Sequence, residues 1–572
     1  MQNTNQRARF VYRVQSWWKK PPLILIYLLF LILSIGSVYG VLIHNNQFFY
    51  GDDLGFHLAR IEGLSQSIQQ GTWFPRINYF ITGGMGYATG IFYPDLLLYP
   101  AALLRVAGLT LAQSYLWFVL LVNWVTFVIA YHSFHVIVKN SHKSLLFAFL
   151  YGMASYRMSD LIYRAAVGEY LALMILPIAF VGLYQVIKGN ERHWLTLAIG
   201  MSLLFYAHLL SAGMMILFSS GFLLLNIRGV WQEKRRFLAI VKAVGVTLLL
   251  VANSLLPMIE QLLFQRLRVQ DEPVFYLQRQ AETIGEYVRT AIQNIGFNNI
   301  GLPILCLLVL WLCLFRRLEK TDSQLLILAV TFFFLATSYF PHWLFHGTTL
   351  NAIQFPWRYF IFVTFCVCWI MADNYNRLFS NQLGQRVVVA VLVVSVLIVN
   401  LTGQIRLTEF EARRGGQVTL NEVDGETQIG YGKEYLPSNM SSWASPTGLL
   451  SEPSDVVQTA NMSRSKNVFS LDVVTEGPAK LIFPLIYYKG YQVRFEGEGT
   501  VSEVEDAEKF KEADMHGFVQ VKVSGSGRLT LWYEGTLIQK GSFYLSWITL
   551  FVILAVSLSR KWKNSQMEKL QK

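Results

Sequence analysis

Long apolar windows dominate the chain, separated by short polar segments. Windows long enough to cross roughly 30 Å of hydrocarbon begin near Leu23, Leu111, Leu145, Glu169, Trp194, Ala212, Phe237, Ile300, Gln324, Trp357, Val387 and Phe543. They predict a polytopic α-helical membrane protein with about twelve transmembrane helices. A further apolar stretch, 91–108, is interrupted by Pro94, Asp95, Pro100 and Arg105. It reads as a helix lying on the membrane surface, with a short span as the alternative. Late in the chain the apolar period shortens to two, in 468–474, 479–488, 491–495, 519–523 and 529–533. That alternation, with Gly-rich turns between several of the runs, predicts an antiparallel β-sandwich-like domain.

Charge then orients the helices. Only 15% of residues are charged, against about 25% in soluble domains. The net charge of +12 is carried by clusters between the apolar windows, which argues against a nucleic-acid surface. With a cytoplasmic N-terminus, the clusters at 139–143, 188–192, 228–236, 316–320, 377–386 and from Arg560 onward all fall inside, as the positive-inside rule asks. Arg7, Arg9, Arg13, Lys19 and Lys20 precede a first apolar run too long for a signal-peptide core, so it reads as an uncleaved span. The resulting plan is a cytoplasmic 1–21, a transmembrane module 22–402 whose first outer loop is 44–110, an extracytoplasmic β-rich domain 403–540, a last span 541–558 and a cytoplasmic tail 559–572. Both termini are then cytoplasmic. Cys306, Cys313, Cys366 and Cys368 all lie in apolar stretches and read as packing residues.

The densest polar chemistry follows the first window, in Tyr50-Gly51-Asp52-Asp53-Leu54-Gly55-Phe56-His57-Leu58-Ala59-Arg60. If Asp52 or Asp53 caps a helix running to Gly71, then Asp53, His57 and Arg60 share a face beside an apolar stripe of Leu54, Leu58, Ile61 and Ile68. A carboxylate held there can take the proton of an incoming hydroxyl, with His57 or Arg60 orienting it. Capping alone also explains the two aspartates.

The order of features in this loop resembles the GT-C glycosyltransferases, membrane enzymes that use polyprenyl-phosphate sugars. Their acidic pair, helix, Gly-x-Trp-x-x-Pro-like turn and Pro-containing juxtamembrane helix are matched by Asp52-Asp53, the helix to Gln70, Gly71-Thr72-Trp73-Phe74-Pro75, one residue shorter, and Tyr93-Pro94-Asp95 through Tyr99-Pro100. More closely, the chain resembles the bacterial membrane proteins called 6-pyruvoyl-tetrahydropterin-synthase-related and the YfhO-like group. This rests on 51–60, Tyr163-Arg164-Ala165-Ala166-Val167-Gly168-Glu169, Gln354-Phe355-Pro356-Trp357-Arg358 and Tyr487-Tyr488-Lys489-Gly490-Tyr491. No zinc-binding domain accompanies the pterin name.

Arg164 and Glu169 fall in a short outer connection where GT-C enzymes often present a second polar group, although a local ion pair explains them equally. Arg358, with Gln354, stands at the outer mouth of a span, where a guanidinium can grip a departing phosphate or simply anchor the interface beside Trp357. His342 and His346 are four apart, but no Glu completes a zinc motif. His208, near the end of the fifth span, reads as a buried, hydrogen-bonded histidine, with a place facing an outer cavity as the alternative.

The resemblance implies transfer of a sugar from a polyprenyl-phosphate donor to a cell-envelope glycan at the outer face of a bacterial plasma membrane, with inversion. Asp53, or Asp52, would be the base, and Tyr487, Tyr488, Tyr491 and Trp532 would stack on sugars or pack the strands. Membrane lipids and the glycan acceptor are the expected partners. No cofactor is required by these motifs, though a divalent cation fits the chemistry. A lipid-linked glycan flippase and a non-catalytic scaffold are the alternatives.

Overall fold

The structure is a computed structural model that describes residues 22–44, 47–49, 51–271, 275–414, 417–419, 429, 433–440, 448–452, 456–465, 467–510 and 513–570. The basic N-terminal segment and Tyr50 lie outside the described residues. The chain divides into two compact units, one of 1–54, 112–243 and 275–422, the other of 55–111, 244–274 and 423–572.

Every expected window is helical. Leu23–Leu42, Leu111–Val138, Ser141–Gly152, Val167–Ile187, Trp194–Ala207, Leu209–Leu224, Lys234–Phe264, Leu302–Cys313, Lys320–Ala336, Phe360–Asn374, Gln382–Arg414 and Leu537–Leu570 follow the apolar pattern in order. Five of these are by themselves long and apolar enough to cross a bilayer: Leu111–Val138, Val167–Ile187, Lys234–Phe264, Gln382–Arg406 and Leu537–Arg560. In contrast, the longest helix within 91–108 is Tyr99–Val106, with 8 residues, about 12 Å at 1.5 Å per residue. The helix beginning at Gln382 runs past the expected boundary at 402, to Arg414.

Within the first unit, the helices Val167–Ile187 and Trp194–Ala207 pack through small residues. A Cβ on Gly182 would fall 2.3 Å from the Leu197 backbone nitrogen, and one on Gly200 would fall 2.6 Å from Ala179 Cα. Lipid supplies no hydrophobic drive between helices, so such seams of small residues let backbones touch and gain dispersion energy instead.

The second unit corrects the sandwich expectation. Its strands Leu450–Glu452, Val457–Ser465, Val468–Ile486, Tyr491–Val501, Glu505–Asp506 and Phe518–Tyr533 hydrogen-bond into one six-stranded antiparallel sheet. The long Val468–Ile486 and Phe518–Tyr533 strands pair along most of their length at its centre. Alternation buries Leu471, Val473, Leu481, Phe483, Val519, Val521, Val523, Leu529 and Leu531. No second described sheet covers that core. Ile77, Ile81, Met85, Tyr87, Ile91 and Phe92 of the first loop join it, with Leu267, Leu436 and Met440.

The Tyr487-Tyr488-Lys489-Gly490-Tyr491 turn docks on the end of the helix Lys234–Phe264. Gln261 Nε2 donates to the Lys489 carbonyl at 2.7 Å, and Gln265 Nε2 to that of Tyr487 at 3.0 Å. Lys489 Nζ lies 3.2 Å from the buried Glu260 carboxylate. Gly490 has φ of +126° and sits against the Tyr533 ring, where a Cβ would come within 2.9 Å. Tyr488 and Tyr491 are buried, with Tyr488 donating to the Tyr435 carbonyl at 2.8 Å. These two rings therefore pack the fold and leave no face for a sugar, whereas Tyr487 and Trp532 are half-buried.

Gly182→Leu and Gly200→Leu should each destabilise the detergent-solubilised protein by roughly 1–3 kcal/mol, the cost of overpacking. Gly213→Leu, where nothing lies within 4 Å of an added Cβ, should leave the thermal midpoint unchanged, and a thermal melt of the three variants checks the contrast.

Candidate functional site

The first unit gathers the acidic pair and the second polar connection around one backbone turn. After Ser155–Ser159 the chain makes a π-helical turn, Asp160–Arg164, and Ala165 then takes a left-handed conformation at φ 49°. Widened turns of this kind break the regular ladder and often occur at functional sites. Here the freed carbonyls have partners in the first loop. The Asp53 amide donates to the Arg164 carbonyl at 2.8 Å, and the Asp52 amide reaches that of Tyr163 at 3.4 Å. Such closeness requires glycine at position 51, since a Cβ there would fall 2.7 Å from that of Ala165. The helix Leu54–Gln69 starts directly after the pair, as the capping pattern predicts.

Beneath this turn lies an ion network. Glu169, in the first turn of Val167–Ile187, is 1% exposed. Its Oε2 accepts from Arg164 Nη1 at 2.8 Å and from Arg358 Nε at 3.3 Å, and its Oε1 accepts from the Tyr156 hydroxyl. Arg164 Nη1 also holds Asp160 Oδ1 at 2.6 Å. All five side chains are buried. A buried charge must be matched nearby, and charge-assisted bonds of this geometry meet that need. Arg358 is thus no exposed interfacial anchor.

Arg358 is aimed by strain. Gln354 has φ 61° and ψ −49°, and the Phe355 amide reaches back to the Ile353 carbonyl at 2.6 Å. This is a γ-turn of the rare, strained hand. It brings the Ile353 carbonyl to 2.7 Å and Gln354 Oε1 to 3.3 Å from Arg358 Nη1. The guanidinium also lies 5.1 Å from the Phe355 ring centroid, and Phe355 stacks on Trp357.

Asp53 is open to solvent on one side and surrounded by protein on the others. That burial raises its carboxyl above the ordinary aspartate value. Arg164 and then Arg358 pull it back down, and Glu169 pushes it further up. Asp53, Arg164, Glu169 and Arg358 are therefore one electrostatic group. Glu169 and Arg358 also act on the buried His208, whose Nδ1 lies 2.8 Å from the Ser211 hydroxyl.

His57 and Arg60 belong to the second unit, where they have a structural task. Arg60 pairs with Asp95 at 2.7 Å, donates to the carbonyls of Tyr93 at 2.8 Å and Pro94 at 3.1 Å, and stacks 4.0 Å over the Tyr93 ring. His57 Nδ1 lies 3.2 Å from Arg60 Nη1. Together they pin the turn before the juxtamembrane helix. His342 is buried against the Thr337 carbonyl at 3.1 Å, and the His346 ring centroid lies 5.3 Å from that of Tyr276. Among the described residues, no group of three or more His, Cys, Asp or Glu side chains is arranged to hold a metal ion.

Tyr156 and Asp160 escaped the sequence reading because they sit at the end of an apolar window. The Asp160–Arg164 spacing of four, which favours an ion pair on a helix, was the available signal.

No curated protein matches the chain. Among solved structures, an archaeal oligosaccharyltransferase, AglB from Archaeoglobus fulgidus in complex with an inhibitory peptide and a dolichol-phosphate, is similar at a TM-score of 0.42 and 11% identity. The alignment covers 75% of this chain and 61% of that one, a likeness too distant to bear on function. A family model described as bacterial membrane protein YfhO matches residues 72–422. That stretch begins after Asp52 and Asp53 and takes in Arg164, Glu169, Gln354 and Arg358. With more than half of its length matched and its apolar windows folded as helices, this chain belongs to the YfhO family of bacterial membrane proteins.

Proposed function

We propose that this protein is a GT-C-type glycosyltransferase that moves a sugar from a polyprenyl-phosphate donor to a cell-envelope glycan at the outer face of the bacterial plasma membrane. One observation carries the reading: a solvent-reached carboxylate, Asp53, is held by its backbone to Arg164 and lies within the electrostatic reach of Arg164 and Arg358. The order of motifs in the first loop and the basic clusters between helices support it. In this topology both termini are cytoplasmic, the twelve helices span, and the β-rich domain lies outside, where it would orient the acceptor.

Asp53 is the base, with Asp52 as its alternate. Its carboxylate takes the proton of the acceptor hydroxyl as that oxygen bonds to the anomeric carbon from the face opposite the phosphate. The bond from that carbon to the phosphate oxygen breaks, its electron pair leaves with the polyprenyl phosphate, and the configuration inverts. Arg358 meets the charge that develops on the leaving oxygen, a role suited to a preorganised guanidinium. Gln354, Arg164 and Glu169 set its direction, while His57 and Arg60 hold the juxtamembrane turn.

Transfer from a polyprenyl-phosphate donor by the purified protein should fall about 10²–10⁴-fold in Asp53→Asn, the usual worth of a positioned base. Unchanged transfer in the Asp52→Asn, Asp53→Asn double variant would remove the catalytic assignment, and no transfer by the parent with any donor would favour a flippase or a scaffold. The acid limb of kcat/KM should be set by a group titrating above the ordinary aspartate value of 3.8. Arg358 lowers the Asp53 value, so Arg358→Gln should move the limb to higher pH as well as reduce the rate. Glu169→Ala leaves two buried guanidiniums undercompensated and should cost about 3–5 kcal/mol of stability, read as a fall in the thermal midpoint.

A further inference from the structure

The short helix Ile284–Gln293 meets three different surroundings around its circumference. At about 100° per residue, Tyr287, Thr290 and Ala291 share one sector and are buried. Glu286, Arg289 and Gln293 share a second, where Arg289 Nε bonds Glu286 at 2.9 Å. Ile284, Val288 and Ile292 share the third, and they are 45%, 38% and 59% exposed. A helix at an ordinary water-facing surface needs two sectors, one for the core and one for solvent. A third, apolar and uncovered, calls for an apolar solvent.

The neighbours of this helix specify that solvent. It packs against the apolar helix Leu302–Cys313, whose Leu302, Val309 and Leu312 are 39%, 59% and 46% exposed. In a membrane protein such side chains face lipid. The Tyr287 hydroxyl donates to the Ala336 carbonyl at 2.7 Å, which fixes the helix at the end of Lys320–Ala336. The loop leaving that end exposes Tyr339, Trp343 and Leu344, the amphipathic composition of a membrane–water boundary.

We propose that Ile284–Gln293 is an in-plane interfacial helix, with Ile284, Val288 and Ile292 inserted among the acyl chains of the bilayer and Glu286 and Arg289 facing water. Its occupant is bulk lipid rather than a protein groove. The helix also touches the candidate site: the Tyr287 ring packs edge-on against Phe360 at 4.8 Å, two residues after Arg358. Insertion therefore fixes the depth of the Arg358 turn relative to the lipid phosphates. The insertion itself stands whether or not the protein transfers sugar.

The test is site-directed fluorescence quenching on the full-length protein in liposomes. Cys306 and Cys313, both exposed, are replaced by Ala, and single cysteines at 284, 286, 288, 292 and 293 carry a bimane label. Preparations without an added cysteine correct for labelling of the buried Cys366 and Cys368. Labels at 284, 288 and 292 should be quenched by lipids with a shallow doxyl group and spared by aqueous iodide, and labels at 286 and 293 should show the reverse. Iodide quenching at 284, 288 and 292 would overturn the proposal in favour of an aqueous face. Protection of those three labels from both quenchers would overturn it in favour of a protein partner or a second copy. Sugar transfer by the same preparations, measured separately, bears only on the proposed function.

Discussion

The Glu169 carboxylate is the interaction on which the first unit's polar architecture depends. One oxygen bridges Arg164 and Arg358 and the other takes the Tyr156 hydroxyl, so the local stretch from Tyr156 to Glu169 and the distant turn that carries Arg358 converge on a group 1% exposed. In an apolar surrounding the buried guanidiniums and the buried carboxylate each need opposite charge and hydrogen-bond partners close by to offset the cost of leaving water. The mutual requirement fixes the distance between the turn that holds Asp53 and the turn that presents Arg358. Geometry at the surface follows from charge balance beneath it.

The helices and this cluster were largely legible in the sequence, for different reasons. Apolar windows announce themselves because a bilayer admits little else, and each window folded as a helix. Arg164 and Glu169 stood out through the resemblance, and Arg358 through its place at the outer mouth of a window. What could not be read was the bonding among them. Asp160 and Tyr156 lie inside the apolar pattern, and the π-helical turn that brings them to Arg164 leaves no periodic trace. The helical spacing of His57 and Arg60 from Asp53 likewise gave no sign that Arg60 finds its carboxylate in Asp95, 35 residues onward.

The β-rich unit shows how far alternation can be trusted. Period-two runs located the central strands, because one face of each is buried. They could not say what buries it. The answer is partly the 77–92 stretch of the first loop, whose Gly83-Gly84-Met85-Gly86 run has no regular period and gives no sign of a core role. A second sheet was the default assumption for the missing layer, and irregular chain filled it instead.

The γ-turn at Gln354 has a consequence for anyone seeking a hardier version of this protein. Glycine would adopt φ 61° without the penalty a side chain carries there, so optimisation for stability alone would favour it. That change would delete Oε1 from the set of acceptors around Arg358 and loosen the segment that aims it. Robustness and reach are thus opposed at a single backbone position, and its sequence preference under selection for one or the other reports which of them the molecule needs.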